Sequence, residues 1–217
     1  MDEFLAQIEE WVKNLGVTDE SVLRKIRAGD LQLLQRYSHN LGASYAKLFE
    51  PMVLSEIFEN LSNKDKADFV RTYLTQGVVE SNRLTSVLAY EALNKSLNNR
   101  GLLFSPVNAP LDEQRLKDVV AGGLAWMIDK QDTQAGVNTL HSGFQQVIDS
   151  GVRNTIVETS KKVKSNTGSF LKGSRVIVGS NPCEYCRALA VGDFDLVNES
   201  IENMKFHDHC NCRIKLV

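Results

Sequence analysis

The stretch TQAGVNTLHSGFQQVIDSGVRNTIVETSKK, residues 133–162, decides the fold class. Val137, Leu140, Phe144, Val147, Ile148, Val152 and Ile156 recur in it at the steps of three and four that put side chains on one face of a helix. An apolar stripe that long needs other helices to cover it, and the N-terminal region offers them. The expected fold is therefore mainly α.

Working toward the N-terminus, Phe4, Leu5, Ile8, Trp11, Val12 and Leu15 form one helical stripe over residues 2–15, closed by Gly16. Thr18 can cap a short helix running to about residue 28, and Gly29 followed by Asp30 marks the next stop and start. Leu34, Tyr37, Leu41, Tyr45 and Leu48 continue helically until Pro51, where a break or restart is expected. Further amphipathic segments are predicted at 52–61, 64–75 and 78–98. The run NRGLLFSPVNAP, residues 99–110, holds a glycine, two prolines and two asparagines, so it reads as a connection between subdomains. A helix over about 111–128 then leads to the long one. The expected organisation is a helical region 1–100, a helical region 105–172 leading into the tail, and a small α+β module at 173–217.

Just after the long helix, KKVKSNTGSFLKGSR (residues 161–175) carries Lys161, Lys162, Lys164, Lys172 and Arg175 and no acidic residue. Cations so grouped can contact DNA phosphates or an acidic partner. They equally suit a solvated helix end, where positive charge opposes the dipole. RVIVG (Arg175 to Gly179) and the terminal RIKLV read as short strands.

All four cysteines lie between residues 183 and 212. Cys183 and Cys186 form a C-x2-C after the turn at Pro182, and FHDHCNC supplies His207, His209, Cys210 and Cys212 some 20 residues later. Thiolates and imidazoles confined to one short segment suit a zinc ion, which takes four such ligands in a closed structural site. The candidates are Cys183, Cys186, Cys210 and Cys212, with His207 as the alternative fourth ligand. His209 is the expected passenger, because in a strand beginning near Cys210 it would face away from both cysteines. Two disulfides or plain apolar packing of the thiols are the competing readings. A Cys183–His207 nucleophilic pair is a further one. The sequence holds no H-E-x-x-H, and Glu184 and Asp208 sit beside candidate ligands without forming a H-x-E pairing with the cysteines. No catalytic residue is therefore expected, and the chain is not expected to be an enzyme.

Bulk properties agree with this outline. With 217 residues and 42% hydrophobic content the chain can bury a core, and a net charge of -2 is the wrong sign for coating nucleic acid or anionic lipid. Asp2 and Glu3 follow Met1, unlike a secretory signal, and no stretch approaches the roughly 20 apolar residues of a membrane helix. Folding in the cytosol, without membrane contact or a small-molecule substrate, is expected.

The run PCEYCRALA followed by FHDHCNCRI resembles the closing signature of phage minor capsid proteins of the MuF-like head morphogenesis group. The branch it is most similar to is sometimes labelled capsid maturation protein. The matching positions are Cys183, Cys186, Leu189, His207, Cys210 and Cys212, and SGVRNTIVETS (residues 150–160) resembles the helix preceding that module. The resemblance covers about residues 105–217. It implies a virion component added during head assembly in the host cytoplasm, contacting the portal or the major capsid protein; for such a component the DNA that the basic stretch could contact is packaged DNA. A maturation protease or zinc hydrolase, and a zinc-stabilised DNA-binding adaptor, are the alternative functions. The protease label of some relatives finds no triad-like motif here.

Overall fold

Helices dominate the chain because apolar residues recur along it at helical spacing. The computed structural model describes residues 2–15, 20–176, 184, 187, 192–196 and 213–217. In chain order come α1 (Asp2–Lys13), α2 (Glu20–Arg27), α3 (Leu31–Val53), α4 (Glu56–Glu59) and α5 (Asn63–Asp68). A π-helical segment, Phe69–Leu74, joins α5 to α6 (Thr75–Asn99). α7 (Glu113–Leu124) ends in a second π-helical segment, Ala125–Asp129, before α8 (Thr133–Thr167). Among the described residues three strands follow, β1 (Lys172–Val176), β2 (Asp193–Asp195) and β3 (Arg213–Leu216). The mainly α expectation with a small C-terminal sheet holds.

The chain divides into two compact units, each assembled from three separated stretches. The first comprises residues 1–19, 38–84 and 111–150. Its core gathers Tyr45, Phe49 and Val53 of α3, Phe69, Val70 and Leu74 of the first π segment, and Val137, Leu140, Phe144, Val147 and Ile148 of α8. Phe4, Leu5, Trp11 and Val12 of α1 pack against it around the buried Ile8, as their spacing predicts. Asn82 donates to the Val147 carbonyl at 2.7 Å, which satisfies a buried amide inside this apolar surround.

The second unit comprises residues 20–37, 85–110 and 151–217. Its buried apolar residues include Leu23 and Ile26 of α2, Leu88, Leu93 and Leu97 of α6, and Val152, Ile156 and Val157 of α8. The connection after α6 turns at Gly101, whose φ of 74° suits glycine. It is then pinned to α8, with the Val107 N–H donating to Thr159 Oγ1 at 3.0 Å and the Ala109 N–H to Thr155 Oγ1 at 3.4 Å. The strand order is β2-β1-β3, all antiparallel.

Four local expectations are corrected. Pro51 does not stop α3, which runs on to Val53, because burial of Phe49, Met52 and Val53 outweighs the lost N–H. The segment expected at 52–61 is a short helix, Glu56–Glu59, started by Ser55, whose hydroxyl accepts from the Phe58 N–H at 3.3 Å. The expected break between 75 and 78 is absent. The π segment instead widens the helix so that Phe69, Val70 and Leu74 all reach the core. The first strand begins at Lys172, three residues before the predicted start, and Ile177 to Gly179 lie outside the described residues. A strand at Asp193–Asp195 was not anticipated.

Candidate functional site

The described frame of the C-terminal module is its three-stranded sheet. Val176 at the end of β1 is the register partner of Arg213 at the start of β3, and Ser174 is that of Asp193 at the start of β2. The end of β1, which precedes Cys183 and Cys186 in sequence, and the start of β3, which follows Cys212 in sequence, therefore lie side by side at one end of the sheet. The candidate ligands Cys183, Cys186, His207, Cys210 and Cys212, together with His209, lie outside the described residues. Among the described residues no group of three or more His, Cys, Asp or Glu side chains is placed to hold a metal ion. Glu184 is described and exposed.

Hydrogen bonds hold this frame within the second unit. The Leu171 N–H donates to Ser160 Oγ at 3.0 Å, joining β1's approach to α8. The Leu196 N–H donates to the Leu171 carbonyl at 2.8 Å, the Val217 N–H to the Lys172 carbonyl at 3.0 Å, and the Arg100 guanidinium to the Leu216 carbonyl at 3.0 Å. Leu196 and Leu216 are buried.

The five residues of the basic stretch differ in their surroundings. Lys161 pairs with Glu158 one turn back at 2.5 Å. Lys162 donates to the Ser105 carbonyl at 3.2 Å and stands 5.3 Å from the Phe104 ring centre. Lys164 lies 3.9 Å from the centre of the Phe170 ring, an arrangement that favours a cation electrostatically. Lys172 is exposed on β1, while Arg175 is buried.

Two features escaped the sequence reading. In the first unit α3 and α8 are tied by crossed pairs, His39 Nδ1 to Asp149 at 3.5 Å and His141 Nδ1 to Glu50 at 2.6 Å. Ser38 Oγ also donates to Asp149, at 2.7 Å. Ser38 thus bonds the carboxylate and not the imidazole, so the trio lacks the hydroxyl-to-imidazole bond of a nucleophilic triad. The second feature is an open groove of about 520 Å³ in the first unit. Arg71, Thr75 and Val79 form one wall, and α7 supplies Leu116, Lys117 and Ala121 on the other. The four-residue steps of both walls are visible in the sequence, but nothing there says that they face each other.

Fold and frame together define a mainly helical protein that ends in a small antiparallel sheet and a cysteine- and histidine-rich tail. Residues 25–217 match the family described as VG15 protein, and the chain belongs to that family. It is a family of viral gene products, in keeping with a phage-encoded protein. Neither a curated protein nor a solved structure matches the chain significantly. Among the described residues no helix is long and apolar enough to cross a membrane.

Proposed function

We propose that the chain is a minor capsid protein of a tailed bacteriophage, added at the portal or inner capsid surface during head assembly, with a non-enzymatic role. The observation that carries this reading is that the family match extends through the cysteine-rich tail to residue 217. That tail is where the sequence resembles the MuF-like closing signature.

In this reading the helical units provide docking faces for the portal or major capsid protein, and the tail is fastened by a structural zinc ion. The donor set fits that ion: Cys183, Cys186, Cys210 and Cys212, with His207 in reserve, are the sulfur and nitrogen ligands that zinc prefers. Register pairing of Val176 with Arg213 supports the idea, since the residue that ends β1, seven before Cys183 in sequence, lies beside the residue that follows Cys212. When bound, zinc would supply cross-linking to a module too small to rely on hydrophobic burial alone. Contact with packaged DNA through Lys161, Lys162, Lys164 and Lys172 is a weaker companion proposal, because the first three already have local partners.

Mass spectrometry of mature particles and metal analysis of the purified chain test the proposal together. The expected results are the chain in mature heads, about one zinc ion per chain, and reduced incorporation of a Cys183→Ser variant that has lost its metal. Normal incorporation of that metal-free variant would sink the fastening role. Absence of the wild-type chain from mature heads would sink the virion role.

A further inference from the structure

We infer that the groove between the Arg71–Val79 stripe and α7 is a docking site for an acidic amphipathic helix of a partner protein. The groove is built entirely from residues of the first unit, so its test stands apart from that of the cysteine module.

Arg71, Thr75 and Val79 follow one another at four-residue steps, and Glu113, Lys117 and Ala121 do the same on the facing wall. Each stripe runs over eight residue steps, or about 12 Å at the helical rise. Two helical stripes with an open trough between them offer the ridges that a third helix packs against, over about two of its turns. Leu116 and Val120 give the trough an apolar lining.

Charge selects the occupant. Both walls bring a cation, Arg71 on one and Lys117 on the other. Arg71 is exposed, and among the described residues no carboxylate pairs with its guanidinium. Lys117 stands 3.5 Å from Glu113 on its own helix, with the two side chains 69% and 75% exposed, so that pair holds it weakly. Two cations against one carboxylate suit a helix that carries Asp or Glu beside its apolar anchors. The wall holding Arg71 is also fixed in shape, because the π segment is braced where Thr75 Oγ1 donates to the Arg71 carbonyl at 2.6 Å.

The test uses the full chain and a fluorescently labelled peptide helix of about four turns, with Leu at steps of three and four and Glu on the flanking positions. A matched peptide carries Lys in place of Glu, and dodecanoate serves as a small amphiphile. The expected result is saturable binding of the acidic peptide, weakened at least about tenfold in the double variant Arg71→Glu with Lys117→Glu. The Lys peptide should bind that double variant better than it binds the wild type. Ala121→Trp should block both peptides by filling the trough. All three substituted positions are exposed, so unchanged helical circular dichroism serves as the folding control, and the charge-swapped rescue reports on the site independently of stability. Four results would each overturn the inference: no saturable binding, peptide binding indifferent to Ala121→Trp, binding of dodecanoate but not of the acidic peptide, or self-association of the chain abolished by Ala121→Trp.

Discussion

Tyr45 shows how one residue is fixed by its surroundings. Its ring lies 4.6 Å from that of Trp11, 5.5 Å from Phe49 and 6.4 Å from Phe144, centre to centre. Its hydroxyl donates to the Leu74 carbonyl at 2.6 Å, at the end of the first π segment. Tyr45→Phe should cost about 1 kcal/mol at neutral pH, measured by urea unfolding. Burial also pushes the phenol's pKa up from its ordinary value of 10.0. A raised folded pKa means that the neutral phenol's stabilising contribution is fully present below pH 10 and is lost as pH rises past it. Wild type should therefore lose stability above about pH 10 more steeply than Tyr45→Phe does. Equal alkaline slopes would contradict the assignment. The helical spacing of Tyr45 was legible in the sequence. Its bond to Leu74, 29 residues away, was not, because periodicity tells which face is buried and not what it meets.

At the scale of elements, glycines bring α7 and α8 together. A Cβ on Gly136 would stand 2.8 Å from the backbone oxygen of Gly123 and would also meet the Met127 side chain. A backbone oxygen cannot rotate out of the way, so Gly136→Ala should destabilise the protein by about 1–3 kcal/mol despite alanine's better helix propensity. Thermal unfolding checks the sign, and a more stable variant would refute the close approach. The starts of several elements were readable. Asp30 caps α3 as expected, accepting from the Leu33 N–H at 2.9 Å. The two π segments were not readable, since an inserted residue in a helix leaves no local mark in composition. Pro51 was misleading for a related reason: propensity argues for a stop, and the buried neighbours Phe49, Met52 and Val53 overrule it.

For the whole molecule, metal removal is the informative perturbation. If zinc fastens the tail, treatment of the purified chain with a strong chelator should speed amide exchange in Lys172–Val176 and Arg213–Leu216 while leaving the α1 and α3 amides of the first unit protected. Unchanged exchange in both strands after verified metal loss would remove the fastening role. The cysteine chemistry behind this prediction came from residue type and spacing alone. So did the helical class, the buried faces of α1 and α8, and the terminal strand, because each depends on a period or a donor set written locally in the chain. Tertiary structure alone decided that stretches separated in sequence share a unit, that Val176 pairs with Arg213, that His39 and His141 find carboxylates on the opposite helix, and that Arg71 faces α7. Those pairings depend on which buried surfaces fit each other once the chain has collapsed, and complementarity between distant surfaces has no local signature.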